Sequence, residues 1–457
     1  MRRAAGRRWY LWLTLFSIGG LVAPVVWILV SKRHAIPTGD AFIYHWQASL
    51  IADGSGWFIN PYSYLLHHQV VQSASHPPFW TLVLAFADVI GLQSYLAQLL
   101  GACLIGAAAV FVTGLAAREA AGPRAGLIAA ALAALYPNYW INYGLGLSET
   151  LVLLLVAAVI LVSLQFWRRP SARLAALLGL LCALTALARS EQALLIIVVL
   201  VPLALALRGV AVRRRLAYAG VGVLVALVTL GPWVGFNLSR FSHPTYLSTD
   251  LGTTLATANC KSAYYGLFLG SDDFRCLDTI TLAPGDESAD DSQYRRVAVT
   301  YAKAHLTRLP VVLAARLGRE FGFYKPIATL RRENHVNDRP ITLSVIGLVA
   351  YYLLIIGAVC GAIKLRRRRV TIVPFVGILA ELMIASMLTF GQTRYRVPGE
   401  VALVILTSVS IDSLVSRRSA TATPSGGVDE GLAAHPGGTP SSAIVEVAKT
   451  SGDVTGG

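Results

Sequence analysis

Apolar runs of roughly twenty residues recur along this chain between short arginine-rich interruptions, and that alternation points to a bundle of membrane-spanning helices. Inside hydrocarbon every backbone N–H and C=O must find a partner within the protein, which a helix achieves by itself. Composition agrees: 55% of the 457 residues are hydrophobic and 14% are charged, too little charge to cover a water-soluble fold of this length. The first run covers residues 9–30. It follows Arg2, Arg3, Arg7 and Arg8, as the start of a signal peptide would, but it is long and lacks a small-residue cleavage site, so it reads as a retained anchor.

Cytoplasmic loops hold back Lys and Arg during insertion, and the basic clusters therefore set a topology. Arg118 with Arg124, Arg168 with Arg169 and Arg173, Arg208 with Arg213 to Arg215, Lys364 with Arg366 to Arg369, and Arg417 with Arg418 should all face the cytoplasm, as should the N-terminus. Crossings are then expected at residues 9–30, 95–116, 125–137, 147–166, 172–188, 192–207, 216–236, 341–363, 370–390 and 398–415, about ten in all. Parity places residues 78–91 along the outer interface rather than across the bilayer. An all-α polytopic membrane protein results, with interfacial helices in its first outer loop.

Polar chemistry collects in two outer loops, residues 31–94 and 237–340, within a transmembrane domain of residues 1–415. Residues 416–457, rich in Ser, Thr, Gly, Ala and Pro, have too little apolar surface to order themselves and read as a disordered cytoplasmic tail. The net charge of +15 lies at helix ends, without interleaved stacking aromatics, which suits anionic lipid head groups better than nucleic acid. Cys103, Cys182 and Cys360 fall in apolar runs, whereas Cys260 and Cys276 share the second outer loop. An oxidising compartment would favour a Cys260–Cys276 disulfide over two free thiols; their spacing suits no common zinc motif.

Several outer residues carry the chemistry a site would need. Asp40 stands just after the first run, where it is either a base or a turn residue at the start of a loop helix; Asp53 is a more ordinary turn aspartate. His76 precedes Pro77 and Pro78, which hold its backbone extended near the membrane surface, in reach of a donor phosphate or an acceptor or in a plain capping role. Glu149 opens one run, and Arg189 with Glu191 sits at an outer turn, as a phosphate contact or as a snorkelling pair. Arg319, Lys325, Arg394 and Arg396 are further outer cations, suited to phosphate or to lipid head groups. Tyr136, Tyr139, Trp140 and Tyr143 read as an interfacial aromatic belt.

In order, Gly39-Asp40, His76-Pro77-Pro78, Tyr136-Pro137 with Ser148-Glu149, Leu187-Ala188-Arg189-Ser190-Glu191 and Arg394-Tyr395-Arg396-Val397-Pro398 form a set. With these motifs the chain, from about residue 9 to 415, resembles the bacterial polyprenyl-phosphate-dependent glycosyltransferases of the protein O-mannosyltransferase and lipid-A aminoarabinose transferase type, which have the GT-C fold. The resemblance implies an enzyme of the bacterial plasma membrane that works at its outer face. Asp40 matches the family's base. Glu149 would be a second acid in the site, and His76, Arg189, Arg319, Lys325, Arg394 and Arg396 would bind substrate.

Such an enzyme moves a sugar, mannose or a pentose being the natural guesses, from a polyprenyl phosphate to an acceptor hydroxyl on a cell-envelope glycan, lipid or protein, with inversion. A phosphate leaving group is already a weak base, so one carboxylate and several cations suffice, unlike the carboxylate pair of a glycoside hydrolase. No cofactor is indicated; some enzymes of this fold use a divalent metal, but one outer carboxylate offers no evident cage. Two other readings fit a polytopic chain: a lipid-linked sugar transporter or flippase, which should show inverted repeats or interrupted helices near mid-membrane, and a polymerase or ligase of surface polysaccharide.

Overall fold

Proline opens one helix after another in this chain, because its missing N–H costs nothing in a first turn and its fixed φ suits one. Pro61, Pro78, Pro123, Pro137 and Pro326 each head a helix. Two other helices are capped by serine: Ser94 and Ser171 accept from the backbone N–H of Ala97 at 3.1 Å and of Leu174 at 3.3 Å, starting Tyr95–Ala121 and Ala172–Ala188. The computed structural model describes residues 2–421. Among these the fold is all-helical, with one isolated bridge between Ile59 and Gln72. By internal contacts the chain divides at residue 415/416, and beyond Thr421 the tail expected to be disordered lies outside the described residues.

Among the described residues six helical stretches are long and apolar enough to cross a membrane: Gly6–Ser31, which is interrupted at Gly20-Leu21, Tyr95–Ala121, Glu149–Arg168, Val212–Arg240, Ile341–Arg367 and Val397–Ser416. Shorter apolar helices, Pro123–Leu135, Ala172–Ala188, Ser190–Leu205 and Val373–Leu388, occupy the other expected crossings. Pro78–Val89 has twelve residues, a length of about 18 Å against the ~30 Å of a hydrocarbon core. Glu149–Arg168 is the buried axis of the bundle and packs on Tyr95–Ala121 and Ala172–Ala188. Small residues bring the helices together. A Cβ on Gly179 would stand 2.0 Å from the Gly222 carbonyl oxygen, so Ala172–Ala188 and Val212–Arg240 meet backbone to backbone.

Local departures from the expected runs have identifiable causes. Residues 9–30 are broken at Gly20-Leu21 into Arg2–Gly19 and Val22–Ser31, because Pro24 has no N–H to give the Gly20 carbonyl. Residues 192–207 are not one regular helix. They form a 3₁₀ turn at Ser190–Ala193, a π segment at Ile196–Leu200 and an α turn at Val201–Leu205, with Pro202 removing an N–H from the ladder. The tyrosines expected in an interfacial belt are instead inside: Tyr136, Tyr139 and Tyr143 are at most 3% exposed. Tyr143 fills the space that Gly106 leaves open, where a Cβ would meet the ring at 2.3 Å.

The two ends of the bundle differ in chemistry. At one end Arg168 pairs with Glu119 at 3.1 Å, Arg118 stacks on Trp9 and Arg124 approaches Asp412 at 3.9 Å, so these basic clusters gather together. Glu149 begins the same helix that Arg168 ends. Twenty residues at 1.5 Å each separate them by about 30 Å. Around the Glu149 end lie Asp40–Ala52, Pro61–His67 and Pro78–Val89 from the first loop, and Leu251–Ala258, Glu287–Ala304, Leu309–Glu320 and Pro326–Asn337 from the second. Cys260 and Cys276 are disulfide-bonded there.

Candidate active site

Asp40 is the first residue of its helix, and Gly39, at φ +56°, makes the turn that aims it. The carboxylate accepts from Arg394 Nη2 at 2.8 Å, and the side chain keeps 38% of its surface open toward a cavity. Burial by the surrounding protein pushes its pKa up, but Arg394, with His76 and Arg189 behind it, outweighs that push and holds the carboxyl down at about 2. On its other oxygen Asp40 faces His76 Nε2 at 3.8 Å. His76 is fixed by the contact of Nδ1 with the Ser75 carbonyl at 2.8 Å and by the Tyr44 ring, leaving Nε2 without a hydrogen-bond partner among the described residues.

The loop that carries His76 is anchored from the second long polar segment, residues 237–340. Arg240 donates to the carbonyls of Phe58 at 3.0 Å and Ser73 at 2.8 Å, and Glu287 accepts from Asn60, the Ala74 N–H and Thr249. Asp40 and His76 therefore meet on a frame that both polar loops build.

Glu149 organises the arginines. Only 1% exposed, it accepts from Arg189 Nη1 at 2.6 Å and lies 3.5 Å from Arg394 Nε, while Glu191 takes Arg189 Nε. Both guanidiniums lie against the Tyr395 ring, Arg189 at 4.8 Å and Arg394 at 5.0 Å from its centre. Arg394 also donates to Asn337 at 2.9 Å. Asp40, His76, Arg189, Glu191, Arg394 and Tyr395 thus converge on a cavity of about 490 Å³. Its other flank is apolar, with Leu194, Ile197, Leu382 and Leu388; Ile197 and Leu388 are 65% and 60% exposed on the bundle's outer surface. One cavity joins a cationic end to a greasy one.

Arg319, Arg396 and Lys325 do not line it. Arg319 donates to the carbonyls of Leu269 and Leu267, both at 2.6 Å, and to Thr329, which ties the second loop together. Arg396 is bound to Glu400 at 2.7 Å and to the Glu320 carbonyl at 2.9 Å, with Tyr351 against its guanidinium. Lys325 lies over Tyr324 at the start of Pro326–Asn337. Conversely, Asp250, Glu320, Glu381 and Gln192 line the cavity and were not singled out as site residues from the sequence. Glu381 had a readable signal, a lone carboxylate within an apolar run.

Residues 75–236 match the family model described as dolichyl-phosphate-mannose-protein mannosyltransferase. The chain resembles the GT-C glycosyltransferases. That segment contains His76, Glu149 and Arg189; Asp40 and Arg394 lie beyond its two ends. Among solved structures, the oligosaccharyltransferase of Archaeoglobus fulgidus crystallised with zinc and sulfate aligns at a TM-score of 0.52 and 16% identity, over 89% of this chain and 49% of that one. The archaeal oligosaccharyltransferase AglB from Archaeoglobus fulgidus, in complex with an inhibitory peptide and a dolichol-phosphate, aligns at 0.51 and 13%, over 90% and 51%. ArnT from Cupriavidus metallidurans bound to undecaprenyl phosphate aligns at 0.43 and 16%, over 89% and 79%. This chain spans about half the length of the archaeal oligosaccharyltransferase chains. No curated protein matches the sequence. The architecture is the GT-C membrane fold, and the chain is a multi-pass membrane protein.

Proposed function

We propose that the chain is an inverting glycosyltransferase that moves a neutral sugar, mannose or a pentose, from a polyprenyl phosphate to an acceptor hydroxyl at the outer face of a bacterial plasma membrane. The observation that carries this reading is the Asp40 carboxylate on the wall of a cavity that combines paired guanidiniums with an apolar flank open to the bundle surface. A lipid phosphate needs both halves. Its head group meets Arg189 and Arg394, and its isoprenoid chain lies along Ile197 and Leu388 toward the bilayer. The match of residues 75–236 to mannosyltransferases that use dolichyl phosphate supports the same donor class.

In the transfer, Asp40 takes the proton of the acceptor hydroxyl while its oxygen attacks the anomeric carbon. The bond from that carbon to the phosphate oxygen breaks, and the polyprenyl phosphate leaves with the electron pair, stabilised by the guanidiniums. A carboxylate held near pKa 2 is a weak base, and Arg394 is the cause. A phosphate that draws on the same guanidinium offsets its charge and raises the basicity of Asp40 when the donor is bound.

The gathered basic end supports the orientation: arginines favour the cytoplasmic side, and in this reading Asp40, at the other end, faces outward. Residues 1–415 then form the catalytic membrane domain. The reading is tested with purified protein and radiolabelled polyprenyl-phosphate sugars in the presence of envelope acceptors. Transfer of label with release of polyprenyl phosphate is expected; movement of the intact lipid-linked sugar between leaflets without transfer would overturn it in favour of a flippase.

A further inference from the structure

A second polar wall of the cavity takes no part in the proton and phosphate chemistry. Gln192, Glu320, Glu381 and Ser386 line it, and each is at most 2% exposed. Gln192 Nε2 donates to Glu381 Oε1 at 2.9 Å. Among the described residues five further atoms there make no hydrogen bond of good geometry: both carboxyl oxygens of Glu320, the neighbouring Oγ of Ser386, Oε2 of Glu381 and Oε1 of Gln192. Buried polar atoms are costly to leave unpaired, and native interiors hold few of them. Five on one wall of one cavity point to a ligand that supplies their partners.

Two kinds of group would satisfy them, sugar hydroxyls or an ammonium, and charge separates the two. Burial pushes the Glu320 carboxyl up to about 8, against smaller opposing effects of Ser386 and Arg396, so at neutral pH it is mainly protonated. Gln192 and Ser386 are neutral by nature. Three uncharged groups that donate and accept at once, beside the unpaired Oε2 of Glu381, match hydroxyls, which do the same. Position agrees: Gln192 follows Arg189 by one 3₁₀ turn on the same cavity wall, where a ring bonded to a phosphate at Arg189 would reach it.

We propose that Gln192, Glu320, Glu381 and Ser386 form the subsite that holds the ring hydroxyls of an uncharged donor sugar. This rests on the donor reading above, and the experiment separates the two. Tritiated undecaprenyl phosphate, undecaprenyl-phosphate mannose, undecaprenyl-phosphate arabinose and an undecaprenyl-phosphate aminopentose are titrated against detergent-solubilised wild type and the variants Glu381→Gln, Glu381→Leu, Glu320→Gln and Glu320→Leu.

Wild type should prefer one neutral sugar lipid over the bare lipid phosphate. The Leu variants should weaken that sugar lipid by about tenfold, the effect of losing one or two hydrogen bonds, and leave the bare lipid unchanged, which also shows that they fold. The Gln variants, which keep a neutral donor and acceptor, should retain most of the preference. Equal losses in the Gln and Leu variants, or a wild-type preference for the aminopentose, would show that a negative charge is required and overturn the neutral subsite. Leu variants that bind the sugar lipid as wild type does would also overturn it. Wild type that binds no lipid phosphate at all would remove the donor reading itself.

Discussion

Arg394 Nη2 meets Asp40 Oδ2 at 2.8 Å across a separation of 354 residues, joining the loop after the first apolar run to the loop before the last. This contact is the main force that holds the carboxylate ionised against its burial, and it places a cation beside it. Replacing Arg394 with Met should therefore raise the Asp40 pKa from about 2, since the upward push of burial is then opposed only by His76 and Arg189. Infrared titration of the isotope-edited carboxylate band reads the shift directly. In the wild type the pair stabilises the fold at neutral pH, and that contribution disappears as pH falls from near 4 to 2.

Glu149 should behave as a positioning residue. It is buried behind two guanidiniums and does not line the cavity. Glu149→Gln keeps its shape but leaves Arg189 and Arg394 short of an anion, and removing one partner of a buried ion pair costs about 3–5 kcal/mol. Thermal unfolding in detergent should show that loss, and the donor KM should rise more than kcat falls.

Tyr395 supports both arginines through its ring, whereas its hydroxyl accepts only a long contact from Arg394, at 3.4 Å. Tyr395→Phe should leave donor affinity within about twofold, whereas Tyr395→Ala should weaken it by roughly tenfold, as two cation–π contacts of about 0.5–1 kcal/mol are lost. Equilibrium binding of a labelled lipid phosphate distinguishes the two.

Alkaline pH should weaken donor binding. Burial raises Asp250, with Asp40 and Asp291 adding to the push, and burial raises Glu320; both reach about 8. Above that pH each turns negative within the cavity and repels an anionic phosphate. Their carboxyls bind protons more tightly in the folded chain than in the unfolded one, so their contribution to stability also fades as pH rises through about 8. Donor Kd measured from pH 6 to 9.5 should rise with a midpoint near 8.

The Cys260–Cys276 bridge, with a sequence separation of 16, should add about 3 kcal/mol to the loop of residues 237–340 by constraining its unfolded state. Reduction or Cys276→Ser should lower the thermal midpoint and expose that loop to protease first.

Much of the bundle was legible because hydrocarbon leaves a chain few choices: apolar runs must be helices, and the arginines between them mark one end. What the pattern hid was the interruption of those runs, for Pro24 and Pro202 are each a single residue whose missing N–H reshapes a neighbouring turn. At the site, the turn chemistry of Gly39-Asp40 and the proline-fixed His76 were visible locally. Arg319, Arg394 and Arg396 look alike in sequence. Only the fold shows that Arg319 is surrounded by carbonyls and Arg396 by Glu400 and Tyr351, while Arg394 reaches the cavity. Glu320 stood next to Arg319 in a loop motif and showed no sign of its burial until Leu309–Glu320 was placed against Val373–Leu388.

The most direct measurement is single-turnover transfer from a labelled polyprenyl-phosphate sugar by wild type and Asp40→Asn, with donor binding measured in parallel. The substituted amide is nearly isosteric with the carboxylate but takes no proton, so the account predicts donor affinity of at least wild-type strength and transfer slowed by about 10²–10⁴-fold. Transfer by Asp40→Asn at the wild-type rate, with donor bound equally, would contradict it.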